Sequence, residues 1–357
     1  MANQILYGFH NLKDLMAERV NTVGIEVVSN AINAAVVEHN RQIDSVMDFF
    51  VTRTTDYSRR FRSVTAARLQ PLDNNGRALP IKPSGYYDIA FPLQFAGSAW
   101  GADYVTGIKM TVDEAQRATN TLIMADARWM RDHILAALYT NVTWTFNDEL
   151  YGALTVQPLA NADAVTYQII SGGDLGATSQ HFLAQAAAIA DATNPYPTIY
   201  STLIQHPENG GQVVAFIPNS LVATTQALAS FIPVSDPNVN PGPGSTAEQL
   251  VGTLGGSLPG NLLGYADGVW IVEWRALPAD YIIATTTGGD RPLAMREDPE
   301  PELRGFHQVA TREDHPFYER QYIRRAGFGA NNRVGALVYR IGNGTYAIPT
   351  NYGSPMS

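Results

Sequence analysis

Apolar residues recur at spacings of three and four over residues 25–51, where Ile25, Val28, Ile32, Ala35, His39, Ile43, Val46 and Phe50 share one face of a predicted helix. His39 has no second ligand at a metal spacing and reads as a packed helix residue. Residues 111–140 carry the clearest helical pattern, with Ala115, Ala118, Leu122, Ala125, Trp129, His133 and Ala136 along one stripe. It opens on Thr111-Val-Asp-Glu114, a capping box in which Thr and Glu each satisfy a backbone N–H. At about 1.5 Å per residue the helix is roughly 45 Å long, a main beam of any fold that contains it. His133 on its stripe reads as structural.

Between these helices the pattern turns extended. Arg62 to Leu69 and Tyr86 to Phe95 predict two arms of a long hairpin, with Asp73-Asn-Asn-Gly76, Pro80 and Pro83 at a loose tip. A hairpin of that length cannot bury both its faces in its own core, so it must lean on a second domain or a second subunit. After the beam the chain alternates. Residues 180–193 read as a helix preceded by Ser179, and 212–218 as a buried strand. Asn219 caps a short helix to about Leu228, and a Pro/Gly loop follows at 233–245. A second capping box, Ser245 to Glu248, opens a helix that Gly255-Gly256 ends. Val269–Trp274, Tyr281–Thr287, Gly305–Arg312, Tyr318–Arg325, Arg333–Ile341 and Thr345–Ile348 read as strands, with turns at Gly327 to Asn332 and Gly342 to Gly344. The fold class is α+β, and no internal repeat is present.

Charge adds one strong feature. Only 16% of the 357 residues are charged, against roughly 25% in average proteins, which leaves two readings: self-association that hides a weakly charged surface, or a polar uncharged surface built from the plentiful Asn, Gln, Thr and Ser. No Lys or Arg occurs from Asp132 to Trp274. Arginines gather in the flanks, most densely at Arg59, Arg60, Arg62 and Arg68, where planar multi-donor groups suit interface ion pairs. The net charge of −9 does not suit a general nucleic-acid binder.

The search for chemistry is negative. The chain has no cysteine, no phosphate-cradling loop and no zincin, hydrolase-elbow or dinucleotide motif. Ser171 to Asp174 and Gly255 to Gly260 read as loops. Glu297, Asp298, Glu300 and Glu302 form an acidic cluster between Arg296 and Arg304; its prolines make it a stiff, extended loop, and a solvated loop or an inter-subunit salt-bridge patch is a better reading than a calcium site. No cofactor or metal is expected. No stretch approaches the ~18 apolar residues of a membrane span, and the first twenty residues lack the pattern of a secretory signal.

The order of elements resembles the HK97-type major capsid protein fold of tailed bacteriophages. The passages that carry the resemblance are Gln212-Val-Val-Ala-Phe-Ile-Pro-Asn-Ser220, Phe317 to Gly329, Asn332 to Ala336 and Gly342 to Tyr346. It implies an N-terminal arm (1–52), an extended hairpin or E-loop (53–101), a peripheral domain with the spine helix (102–178), an axial domain (179–290) and a closing β segment (291–357). It implies a non-enzymatic subunit of pentamers and hexamers in an icosahedral head, located in the virion and assembled in the host bacterial cytoplasm. Its partners would be other copies, a portal protein, a separate scaffolding protein, a cement protein, and packaged DNA held by weak nonspecific contact, with no membrane. Arg59, Arg60, Phe61, Arg62, Tyr86, Tyr87 and Phe91 would form the hairpin side of the subunit interface, and Glu297, Asp298, Glu300 and Glu302 its acidic side. Some members of that family crosslink a hairpin Lys to a distant Asn. Here Lys82 with Asn331 or Asn332 is the pair to consider, against the simpler reading of Lys82 as a solvated tip residue. An encapsulin-type nanocompartment shell is the nearest alternative, and a soluble hydrolase with its site in the cation-free region is the alternative from another class.

Overall fold

A computed structural model describes residues 31–40, 49–62, 72, 74, 76–77, 86–103, 109–170, 176–234, 260–312 and 317–356. The predicted hairpin arm at 63–69, most of the tip with Lys82, the loop at 171–174 and the Ser245 capping box lie outside them, as does most of the Pro/Gly loop. In chain order the elements are helix α1 (31–40), then strands β1 (Val51–Thr54), β2 (Ser58–Arg62), β3 (Tyr86–Ala90) and β4 (Gln94–Asp103). Helix α2 (Val112–Tyr139) follows, then β5 (Trp144–Asp148), β6 (Gly152–Val156), β7 (Tyr167–Gln168), β8 (Gly176–Ala177) and β9 (Phe182–Gln185). Next come α3 (Tyr196–Ile204), β10 (Val213–Ile217), α4 (Asn219–Gln226), β11 (Ile232–Pro233), β12 (Asn261–Ala266), β13 (Val269–Glu273), β14 (Tyr281–Thr286) and β15 (Leu293–Glu297). The chain closes with β16 (His307–Arg312), β17 (Phe317–Ala330) and β18 (Ala336–Ile341).

The chain divides into two compact units. The first draws on Met1–Asp44, Gln94–Arg131 and Asp298–Ala326. In it β17 pairs antiparallel with both β4 and β16. Ile32 and Val36 of α1 pack with Leu122, Phe306 and Tyr322.

The second unit holds a seven-stranded mixed sheet in the order β11-β12-β13-β10-β14-β18-β9. Its central strands VVAFI, VWIVE and YIIATT are buried at every position, which is why they read as unbroken apolar runs rather than alternations. On one face Val213, Ala215, Ile217, Ile271, Ile282 and Leu337 pack with Tyr196, Ile199 and Leu203 of α3 and Leu221 of α4. On the other, Phe216 meets Phe49, Phe50 and Trp274 edge-on or tilted, at ring separations of 5.0–5.9 Å.

The beam stands as predicted. Thr111 N–H donates to Glu114 Oε2 at 3.0 Å and Glu114 N–H to Thr111 Oγ1 at 3.3 Å, so the capping box closes in both directions. Its buried stripe departs from the prediction at three places: Thr119, Asp126 and Met130 are buried where Ala118, Ala125 and Trp129 were expected.

Several other expectations are corrected. Residues 180–193 are not a helix. Phe182–Gln185 pairs parallel with Val338–Ile341, and only Asp191–Thr193 makes a helical turn, of 3₁₀ type. Strand pairing with a distant partner outweighs the helix propensity of an alanine-rich segment. Ser179 is therefore no cap. The helix predicted to run to residue 51 has ended before Phe49, and Phe49 and Phe50 occupy a turn before β1. The arm predicted at Tyr86–Phe95 breaks after Ala90: β3 belongs to the hairpin, and Gln94 onward pairs with β17. Gly327 and Gly329 lie inside β17 rather than at a turn, because the chain passes too close for side chains. A Cβ on Gly327 would sit 2.3 Å from the Pro92 carbonyl oxygen. Pro218, not Asn219, is the N-cap of α4, and residues 345–348 form no strand.

Candidate assembly surface

The hairpin base is a two-stranded antiparallel ribbon in which Arg59 faces Ile89, Arg60 faces Asp88, Phe61 faces Tyr87 and Arg62 faces Tyr86. Alternation sends its two faces to different fates. On the inner face Phe61 and Tyr87 stack at 5.4 Å and pack on a cluster of Ile89, Phe91 and Ala294. Phe91 is fully buried there, so it anchors the ribbon from within its own chain. On the outer face Tyr86 is 65% exposed. Arg60 lies over its ring at 4.3 Å and makes a two-pronged contact with Asp88 at 2.7 and 2.8 Å. That hydrogen bond holds the Asp88 carboxyl below its ordinary range. Arg59 is turned inward, donating to Asn331 Oδ1 at 2.9 Å and to Thr54 Oγ1 at 3.2 Å.

A second hairpin, β5–β6, carries Leu150 at its tip, 83% exposed. Asp148 Oδ1 accepts from the N–H groups of Leu150 and Tyr151 and so fixes the turn. Its other oxygen takes a 2.7 Å ion pair from buried Arg296. Tyr151 stacks on Tyr57 at 3.8 Å.

The acidic residues have unequal surroundings. Glu297 accepts from Arg53, an arginine that sequence inspection did not single out. Asp298 is buried and paired with Arg325 at 2.6 Å, while Arg304 donates to its carbonyl. Glu300 and Glu302 are exposed, the first capping and the second within a single 3₁₀ turn at Pro301–Leu303. Asn331 and Asn332 are buried within their own chain. The Arg62 side chain and Lys82 lie outside the described residues.

One buried cluster has the residue types of a nucleophilic site. Ser179 Oγ lies 2.9 Å from His181 Nε2 and 3.1 Å from His206 Nε2. The Nδ1–H groups donate to the carbonyls of Ala336 and Gln168. All three side chains are at most 5% exposed, and burial drives the His181 pKa down to about 3. The cluster ties strands together out of reach of any substrate. Among the described residues no group of His, Asp and Glu is arranged to hold a metal, and no helix is long and apolar enough to cross a membrane. The residue that sequence inspection missed outright is Asp126, a carboxylate on the buried stripe of α2.

No protein-family model matches the chain, and no curated protein does. Solved structures match it over most of its length. A chain of Mycobacterium phage Patience aligns with 100% of this chain and 99% of its own, at 16% identity and a TM-score of 0.69. The bacteriophage PhiM1 mature capsid aligns with 82% of this chain and 84% of its own, at 10% identity and a TM-score of 0.50. The likeness at these identities is one of fold, and this chain has the α+β fold of those phage chains.

Proposed function

We propose that the chain is the major capsid protein of a tailed bacteriophage, a structural subunit rather than an enzyme. Its copies assemble into the pentamers and hexamers of an icosahedral head around double-stranded DNA. The observation that carries this reading is the fold shared with a phage chain from end to end in both molecules.

In HK97 terms, β2 and β3 are the base of the E-loop, α2 is the spine helix and the seven-stranded sheet is the heart of the axial domain. The proposed segments are 1–52, 53–101, 102–178, 179–290 and 291–357. The physical logic is that of an incomplete surface. A two-stranded ribbon with exposed Tyr86 and a weakly charged chain bury in an assembly what one copy leaves wet. Obligate interfaces of about 2,000–5,000 Å² are built this way. Arg59, Arg60, Phe61, Arg62, Tyr86 and Tyr87 form the hairpin side of the contact. Exposed Glu300 and Glu302 form the acidic side, while Glu297 and buried Asp298 are held by Arg53 and Arg325 of their own chain. Further partners in this reading are a portal protein, a separate scaffolding protein, a cement protein and DNA touched without sequence preference. The protein resides in the virion after assembly in the bacterial cytoplasm.

Negative-stain electron microscopy of the purified chain, with and without a candidate scaffold, tests the proposal. Closed shells or rings of five and six are expected. A monomer at every salt and protein concentration would overturn it.

A further inference from the structure

Two tyrosine rings from distant parts of the chain lie face to face on the surface of the second unit. Tyr57, just before β2, and Tyr151, at the tip of the β5–β6 hairpin, stack with ring centroids 3.8 Å apart and planes 10° from parallel. Neither is a core residue, for Tyr57 is 39% exposed and Tyr151 48%. The capsid reading makes no use of this pair.

Both rings are held from behind. The Tyr57 carbonyl accepts the Phe91 N–H at 2.9 Å, and Phe91 is fully buried. The Tyr151 N–H donates to Asp148 Oδ1 at 3.1 Å, and Asp148 is fixed in turn by its ion pair with buried Arg296. The Arg296 guanidinium also lies 5.7 Å from the centre of the Tyr151 ring. Two exposed phenols are thus kept in contact by groups that are themselves buried. Held contact turns an encounter between reactive groups into a step within one molecule.

Contact and exposure together suit one reaction of phenols, oxidative coupling. Exposure lets an oxidant reach the rings and lets water take their protons. The chain has no cysteine, so no thiol of its own competes for the oxidant. The other close tyrosine pairs among the described residues all involve Tyr139 or Tyr281, which are 0% and 7% exposed, and all meet at steep angles.

We propose that Tyr57 and Tyr151 form an oxidative crosslinking site, at which hydrogen peroxide activated by a haem peroxidase joins the two rings as dityrosine. Each phenol loses one electron and its hydroxyl proton and becomes a phenoxyl radical. The radicals couple through one carbon beside each oxygen, forming a C–C bond. The proton on each of those carbons then leaves and each oxygen regains one, which restores both aromatic rings and both hydroxyls. In sum two C–H bonds break and one C–C bond forms, while two electrons and two protons pass to hydrogen peroxide, which becomes two waters. The product staples the β5–β6 hairpin to the foot of the long hairpin within one chain. This site stands or falls independently of the capsid reading.

The test uses the dilute, unassembled full-length chain with hydrogen peroxide and a haem peroxidase. Blue dityrosine fluorescence should appear without a chain-to-chain product on a denaturing gel. After trypsin, peptide 54–59 should emerge joined to peptide 132–275. Tyr57→Phe should lower the dityrosine yield about tenfold, because the remaining tyrosines lack the advantage of held contact. Tyr200→Phe is the control, since Tyr200 is as exposed as Tyr57, at 39%, and stacks on no tyrosine among the described residues. It should leave the yield unchanged. Both substitutions keep the ring. Equal losses in the two variants, links scattered over other tyrosines, or products only between chains would overturn the site. So would the absence of dityrosine under conditions that couple free tyrosine.

Discussion

Arg324 on β17 grips Asp126 on α2 with both prongs of its guanidinium, Nε to Oδ1 and Nη2 to Oδ2, the latter at 2.7 Å. The side chains are 5% and 2% exposed. His39 of α1 reaches the same carboxylate at 2.8 Å, and Asn40 takes a further hydrogen bond from Arg324 at 2.9 Å. Burial alone would raise the Asp126 carboxyl, but hydrogen bonds from His39 and Arg324 outweigh it and hold the carboxyl below its ordinary range. One buried acid thus joins three elements of the first unit.

Removing that acid should be severe. Asp126→Ala leaves Arg324 charged and buried without compensation, which costs about 3–5 kcal/mol. Urea unfolding followed by circular dichroism would measure it. The double variant Asp126→Leu/Arg324→Met should recover much of the loss, because an apolar pair needs no compensation. Equal loss in both variants would show that His39 and Asn40, not the ion pair, hold the site.

Stability should fall on mild acidification through a different pair. His181 and His206 are held neutral by burial, and the charges acting on His181, those of His206 and Arg333, also oppose its protonation. Their folded pKa values lie below the unfolded value of about 6.5, so the unfolded chain binds more protons below that pH. Their stabilisation is complete above pH ~6.5 and declines as pH drops, at up to ~1.4 kcal/mol per pH unit for each proton. Thermal unfolding between pH 7.5 and 4.5 reads this window, which lies above the range where Asp126 begins to protonate. A flat melting temperature would show that the rings protonate as easily in the folded state as in the unfolded one.

The outer face of the hairpin allows a charge-swap test. Arg60→Glu should leave a folded subunit and suppress assembly. Arg60→Asp/Asp88→Arg restores the pair within one chain while reversing the charges shown to a neighbour. Assembly should remain poor in the swap, as judged by sedimentation velocity. Recovery to wild-type levels would assign Arg60 to its own hairpin alone.

Gly327→Ala tests the close approach inside β17. The added methyl meets the Pro92 carbonyl oxygen and backbone at 2.3–2.7 Å, where nothing can yield by a side-chain rotation. A loss of about 1–3 kcal/mol is expected from overpacking. A variant as stable as the wild type would mean that the β3–β4 connection moves freely.

What was legible in the sequence was local. The α2 capping box and the runs VVAFI, VWIVE and YIIATT each state their structure within a dozen residues, because caps and buried strands are defined by near neighbours. The misreadings have one origin. Phe182–Gln185 is a strand because Val338–Ile341 lies beside it, and Gly327 is required because Pro92 does. Asp126 is polar on a buried stripe because Arg324, 198 residues away, pairs with it. The rings of Tyr57 and Tyr151 stack although no spacing links them.

The sequence by itself determined the capped α2 beam and the buried central strands, that the cations gather in the flanks, and that the familiar catalytic motifs are missing. Only the tertiary structure decided which strands pair, which charges are compensated in the interior, and which aromatic rings of the hairpin turn inward as anchors and which stay outward. Those outcomes depend on contacts between residues far apart in the chain, whose energies exist only once the fold has brought them together.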